Sequence, residues 1–473
     1  MATQIRWLVV LLMALGVARN GFADEMDGSE LPVPPPGSAA ETSRDATLAQ
    51  EDRIADLERT VKVLAAELER TRSELAIPEE PELEGRHGLG PAASKVYQVS
   101  RGLSIGGYGE ALYSKLVADS GDGKDQADAL RTVLYTGYKF SERILFNSEI
   151  EFEHATTEAT ESSDGGSVSV EFAALDFLWK DWANFRAGLV LLPMGWLNEI
   201  HEPPSYFGTH RPEVERQIIP STWREVGTGI FGHLGEQVEF SAYVVNGMNA
   251  EGFRPGGLRD GRQNGSHALA ENLGFVGRID WLPSPEWILG GSVYHGNSGQ
   301  HQDFDVAPGG GLPSFNVDLP DTATTIWELH SQYENRGWHL RGLFTMAHVD
   351  EAGDLSRALA PVSEGGIGEL ESGEGIGGQM LGVYGEVAYD LMPLFFEATE
   401  KSLQPFVRVE YYDTQRDMPS GFLKDESKEI TIYTAGFSYK PLPNVVVKAD
   451  YRNRSAAEGK LSDEFNMGVG FAF

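Results

Sequence analysis

The stretch "PMGWLNEIHEPPSYFGTHRPEVERQIIPSTW", from Pro193 to Trp223, carries His201, Glu202, His210, Arg211, Glu213, Glu215 and Arg216. Imidazole and carboxylate groups can trade protons or hold a metal, and guanidinium groups grip oxyanions through paired N–H donors. His201 and Glu202 belong to no His-x3-His or similar set, so neither a metal centre nor a cofactor is expected, and both read as exposed loop residues. A hydrolase would need Ser or Asp repeatedly in the company of His. The histidines here are scattered without such company, so catalysis is not expected. Pro193, Pro203, Pro204, Pro212 and Pro220 restrain the backbone, which makes this a stiff, charged loop.

The elements around it alternate with period two. "NSEIEFEH" sets Glu149, Glu151 and Glu153 opposite Ile150 and Phe152, and "FVRVEYY" sets Arg408 and Glu410 opposite Val407 and Val409. "VVVKADYR" separates Lys448, Asp450 and Arg452 from Val447, Ala449 and Tyr451. The last residues, "EFNMGVGFAF", put Phe465, Met467, Val469, Phe471 and Phe473 on one face. Such segments are strands with one apolar and one polar side.

Sixteen candidate strands begin near residues 103, 128, 143, 166, 182, 222, 237, 271, 286, 322, 337, 376, 401, 428, 444 and 462. Their connections alternate between tight turns, such as 141–143, 180–182 and 441–443, and long loops, such as 193–221, 248–270 and 350–375. A meander with short turns at one end and long loops at the other is the layout of a transmembrane β-barrel. Trp179, Trp182, Trp281, Trp287, Trp338, Phe395 and Phe396 crowd the short turns, as an interfacial girdle would. The predicted fold is all-β, a 16-stranded antiparallel transmembrane barrel, with apolar stripes in lipid and charged ones around a water-filled interior. The polar phase of each strand then gives a lining that includes Arg131, Lys139, Glu149, Glu151, Glu153, Arg186, Arg278, Arg341, Arg408, Glu410, Lys448, Asp450 and Arg452. Its charge is mixed. The phase at 166–178 and 222–232 is unclear, which leaves Glu171, Arg224 and Glu225 unassigned.

The rest of the chain bounds the partners. It has 473 residues, 71 acidic against 38 basic, and no Cys, so disulfides play no part and nucleic acid would be repelled. Residues 1–23 read as a secretory signal peptide, 24–47 as a Pro-rich linker and 78–100 as a second linker before a barrel spanning 101–473. Between the linkers, 48–77 carries Ile54, Leu57, Val61, Leu64, Leu68, Thr71 and Leu75 at 3-4 spacing, the seam of a short coiled-coil helix. The seam argues for an oligomer and leaves its number open. An even strand count puts both chain ends on the short-turn side, the periplasm.

With these features in place, the chain resembles a Gram-negative outer-membrane porin. Its terminal Phe471 and Phe473 are similar to the signal by which such barrels are recognised for assembly. More narrowly, "LSIGGYGEALYS", "LVLLPMGWLNEI", "WREVGTGIFG" and "YVVNGMN" resemble the phosphate-selective porin O and P family over roughly residues 100–473. The resemblance implies a homotrimer in the outer membrane, lipid and lipopolysaccharide contacts, and passive diffusion of small hydrophilic solutes with a preference for anions such as phosphate. It also implies that the third long loop, with the seven residues named first, folds inward as the pore constriction. The family's basic ladder does not map onto this sequence residue by residue, which keeps open a general or cation-tolerant pore. A barrel that merely anchors a cell-wall tether is a further reading.

Overall fold

The structure is a computed structural model that describes residues 53–67, 70, 84–118, 123–159, 165–309, 312–396 and 399–473. The expected signal peptide and Pro-rich linker lie outside the described residues. The chain divides into two units, 1–69 and 70–473. In the first, residues 53–67 are helical, and Ile54, Leu57, Val61 and Leu64 are each at least half exposed. Their 3-4 spacing gathers them on one face, which is exposed among the described residues.

The second unit holds the sheet. Its strands are β1 (Gly102–Ala118), β2 (Gln126–Ser141), β3 (Ile144–Glu153), β4 (Val168–Lys180), β5 (Ala183–Leu191), β6 (Arg224–Leu234), β7 (Val238–Asn246), β8 (Leu273–Ser284) and β9 (Trp287–Asn297). A loop hairpin of β10 (Asp303–Val306) and β11 (Phe315–Asp318) follows. The series resumes with β12 (Ala323–Asn335), β13 (Trp338–Val349), β14 (Gln379–Tyr389), β15 (Ser402–Asp417), β16 (Glu429–Leu442), β17 (Val445–Ala456) and β18 (Asp463–Ala472). Without the hairpin these form one closed barrel of 16 antiparallel strands in sequence order. Every expected start falls within three residues of the observed one.

Closure is made by the two ends of the sheet. β18 pairs with β1, Tyr108 opposite Ala472 and Tyr113 opposite Met467. Phe473 N–H donates to Gly107 O at 2.8 Å, and Gly107 N–H donates back to Phe473 O at 2.9 Å. No backbone edge is left along this seam, which is what a spanning sheet requires. Phe465, Met467, Val469, Phe471 and Phe473 point outward and are exposed, whereas Asn466 and Ala472 point inward and are buried. Trp179, Trp182, Trp281, Trp287, Trp338, Phe395 and Phe396 are likewise exposed beside the short turns. In water that outer surface would be strongly unfavourable; in hydrocarbon it costs nothing.

Two findings depart from the sequence reading. The segment expected as a linker over 78–100 is packed from residue 84 onward. Arg86 and Leu89 form a β-bridge, α1 (Lys95–Gln98) follows, and Leu89, Ala92, Ala93, Val96 and Tyr97 are buried against inward residues of β1 to β5. Asn147 donates to Ala93 O at 2.9 Å, and Lys139 donates to Val99 O at 2.8 Å. Glycines on the strands make the room. A Cβ at Gly106 would come within 2.6 Å of Ala92 O, and one at Gly137 within 2.6 Å of Val96 Cγ2. The second departure is a bulge between β3 and β4, where Glu149 pairs with Phe172 but Ile150 pairs with Val170. Glu171 is the extra residue, and both it and Phe172 turn inward. That local break in the period is why the phase of β4 was illegible.

Met467 lies mid-strand on the outward face. Met467→Arg should cost about 2–4 kcal/mol, the penalty for a cation on a lipid-facing barrel position. Urea unfolding in lipid vesicles measures it, and an unchanged midpoint would contradict the outward face.

Candidate functional site

The connection from β5 to β6, residues 192–223, does not stand out from the barrel mouth. Its neck is zipped by Asn198, whose Nδ2 donates to Leu192 O at 2.6 Å and Trp223 O at 2.8 Å while its Oδ1 accepts from Trp223 N–H at 2.5 Å. From there the loop crosses to the opposite wall. Tyr206 donates to Glu110 of β1 at 2.9 Å, and Thr209 donates through its N–H (2.6 Å) and hydroxyl (2.8 Å) to Asp450 of β17. Arg408 of β15 donates to the carbonyls of Phe207 (3.2 Å) and His210 (3.0 Å). A short helix, α2 (Glu213–Gln217), begins at the Glu410 carboxylate, which accepts the Glu213 N–H at 2.6 Å. Arg452 meets Glu213 at 3.0 Å.

His201 and Glu202, expected as exposed loop residues, are 1% and 2% exposed. The correction follows from the inward course of the loop. His201 Nε2 faces Glu149 at 3.4 Å and Glu171 at 3.1 Å, and Glu202 accepts the Ala92 N–H at 2.9 Å, which ties the loop to the segment before the barrel. Glu215 is buried within the loop, where it accepts from Trp196 and Leu197 N–H (both 2.8 Å) and from Tyr384 Oη (2.6 Å). Only Arg216 stays largely exposed.

The inward residues of the strands accordingly face two kinds of neighbour. Arg131, Glu151 and Glu153 border a cavity of about 440 Å³ at the long-loop end, together with Glu110, Glu171, His210, Arg211, Glu213, Arg216, Arg224, Arg259 and Arg262. Arg278 borders a second cavity, about 540 Å³, at the short-turn end, with His87, Glu199, His233, Glu239 and Asp280. The remaining residues expected to line a water-filled interior hold the inserted segments instead. Arg186 pairs with Asp176 and donates to Tyr97 Oη at 3.0 Å, and Lys448 sits 3.6 Å from the ring centroid of Tyr206. Arg341 lies 3.5 Å from Glu386 and over the Trp196 ring. Lys139, Glu149, Arg408, Glu410, Asp450 and Arg452 make the contacts given above. The lumen is thus filled by two segments between two charged cavities, in place of the open interior expected. Sequence reasoning missed Arg259 and Arg262, which arrive from the β7–β8 loop, and it missed Glu171 and Arg224, which pair at 3.2 Å.

Burial would raise the pKa of Glu213, but Arg452 and Arg216 more than offset it and hold the carboxyl down at about 2. For His210, burial and then Arg452 lower the imidazole to about 4, so it is neutral at pH 7. In His201 burial alone would lower the value, yet Glu149 chiefly brings it up to about 9.

These features define a transmembrane β-barrel whose lumen is divided by an inward loop into two chambers. No family model matches the chain. It is 37% identical over 389 residues to an uncharacterised protein of Aquifex aeolicus (strain VF5), covering 82% of this chain and 83% of that one, and it belongs to the same family. Among solved structures it is similar to Salmonella typhi OmpF in complex with daunomycin (12% identity, TM-score 0.49, 79% of this chain and 98% of that one). It is also similar to the outer membrane channel DcaP of Acinetobacter baumannii (12%, 0.46, 79% and 98%) and an anion-selective porin from Comamonas acidovorans (9%, 0.46, 78% and 99%).

A carboxyl held below its ordinary range stabilises the docked loop above that range, and the contribution is lost as pH falls towards about 2. Pepsin should therefore cut between residues 204 and 217 at about pH 2 and spare the loop at about pH 4. Arg452→Ala removes the nearer of the two guanidinium groups on the buried Glu213, leaving Arg216 at 3.8 Å, and should allow cutting at the higher pH as well.

Proposed function

We propose that this protein is an outer-membrane porin that passes small hydrophilic solutes by passive diffusion and prefers anions, inorganic phosphate among them. Its chain ends lie in the periplasm, the barrel is delivered by the outer-membrane assembly machinery through its terminal Phe row, and the molecule is a homotrimer. The exposed apolar seam at 53–67 supports self-association, since three or more such helices would bury it.

One observation carries the anion preference. The long-loop cavity gathers Arg211, Arg216, Arg224, Arg259 and Arg262 on one side. Its carboxylates are largely spoken for, with Glu110 and Glu151 on Arg131, Glu171 on Arg224 and Glu213 on Arg452. Arg211, Arg259 and Arg262, by contrast, have no carboxylate within 4.0 Å among the described residues, and Arg211 Nε and Nη2 are buried without a hydrogen-bond partner among them. Burial, then repulsion from Arg262, Arg216 and Arg211, lowers Arg259 to about 9. Burial, then Arg224, lowers Arg262 to about 10. Both stay charged at pH 7, and an oxyanion among them would relieve the repulsion through forked N–H donors. The cation-tolerant reading rests on the chain's net charge of −33.

Planar bilayers under a KCl gradient test the proposal. The reversal potential should report chloride over potassium, phosphate should reduce the chloride current, and the double variant Arg259→Ala with Arg262→Ala should lower the anion preference several-fold. Potassium preference without phosphate block would discard the anion reading and keep the channel; absence of conductance would discard the channel.

A further inference from the structure

We propose that Glu149, Glu171 and His201 form a binding site for a first-row divalent metal ion, with Zn²⁺ the best fit, that cross-links the inward loop to the barrel wall. The site lies where three separate pieces of chain meet, β3, β4 and the loop. One ligand atom from each residue falls within 4.8 Å of the other two. His201 Nε2 is 3.4 Å from Glu149 Oε1 and 3.1 Å from Glu171 Oε2. Ligand atoms around a tetrahedral ion with bonds of about 2.0–2.1 Å stand about 3.3 Å apart, so both separations match edges of that polyhedron.

Three further features point at an ion. The first is the tautomer of the histidine. His201 Nδ1 lies 3.1 Å from Asn198 O, and a carbonyl only accepts, so Nδ1 carries a proton and donates. This second bond is the one that orients metal-binding histidines. Nε2 is thereby aimed at two carboxylates, and at most one proton can serve them both. The second feature is the shortage of donors. Glu149 Oε2 is buried with no hydrogen-bond partner among the described residues, as is the hydroxyl of Tyr108, whose ring lies 6.0 Å from that of His201, and Glu171 Oε2 shares with Glu149 the single Nε2 of His201. All three residues are at least 98% buried. Two carboxylates so placed need more positive charge than one imidazolium shared between them and Arg224 on the far oxygen of Glu171 bring. The third is construction. Glu171 is the inserted residue of the β3–β4 bulge, a distortion that weakens the ladder and brings this carboxylate into the lumen beside Phe172.

Outer contacts and access complete the site. Arg224 Nη1 holds Glu171 Oε1 at 3.2 Å and so leaves Oε2 towards His201. Glu171 also borders the long-loop cavity, which supplies an entry path for a hydrated ion. The mixed nitrogen and oxygen set selects against Mg²⁺ and Ca²⁺, which favour oxygen alone, and suits Zn²⁺ and its neighbours. On binding, the ion takes the position between the carboxylates that the Nε2 proton otherwise occupies, and that proton leaves to solvent. This inference does not depend on which solute the barrel passes.

Calorimetric titration of metal-stripped, untagged protein in detergent with Zn²⁺ tests it. The expected result is one site per chain, weakened at least about tenfold in Glu171→Gln and in His201→Gln, unchanged in Glu153→Gln, and not competed by Mg²⁺. Heat-modifiable migration on gels checks that each variant still closes its barrel. Should a variant fail to fold, Co²⁺ bound to the wild-type chain decides, because a low-coordinate nitrogen–oxygen site gives an intense visible band. Zn²⁺ uptake equal in wild type and both site variants, or a Co²⁺ spectrum of the weak octahedral type, would overturn the proposal.

Discussion

A sheet in hydrocarbon must pair every backbone N–H and C=O, and in this chain the constraint is met at one seam, β1 against β18. Closing the sheet fixes which side each side chain takes. Apolar residues go out to lipid, and the charged residues of sixteen strands converge on one enclosed space. Charges crowded away from water must find partners or stay wet. The loop at 192–223 and the segment at 84–99 are those partners. They bring carbonyls to Arg408, Lys139 and Lys440, N–H groups to Glu410 and Asp450, and the Glu213 carboxylate to Arg452, while the Ala92 N–H and Glu202 tie the two segments to each other.

The inserted segments in turn decide where water remains. Between them and the walls lie two chambers, one at each end, and Arg211, Arg259 and Arg262, which have no carboxylate within 4.0 Å among the described residues, border the one at the long-loop end. The arginines there that lack a carboxylate and the buried carboxylates of Glu149 and Glu171 have opposite sign. Their separation follows from the fold. The arginines come from loops that cap the long-loop end, and the carboxylates come from strands below them. A single lumen can therefore offer one environment to an anion and another to a cation.

Much of the architecture was legible because barrel strands obey a strict period. The alternation of Arg408 and Glu410 with Val407 and Val409 needs no tertiary information, and neither does the row ending in Phe473. The bulge that inserts Glu171 breaks that period locally, and β6 hides its own because Gly227 and Gly229 supply no side chain to its inward face. The insertion of 84–99 carried only an indirect signal, the glycines at 106 and 137 that leave space for it. Charge and proline content marked the loop at 193–223 as special, yet nothing local says that His201 sits between two carboxylates from different strands. That juxtaposition depends on the curvature of the closed sheet, as does the convergence of Arg211 with Arg259 and Arg262.

The account rests on the loop lying inside the barrel against the far wall, and proximity chemistry reads that directly. A Cβ at Gly468 of β18 would lie 3.5 Å from Thr209 Cγ2, and the chain has no cysteine to interfere. In the folded, detergent-solubilised barrel, the pair Thr209→Cys and Gly468→Cys should oxidise to an intramolecular disulfide. Two free, separately labelled thiols in a barrel that is otherwise closed would contradict the inward loop and what has been built on it.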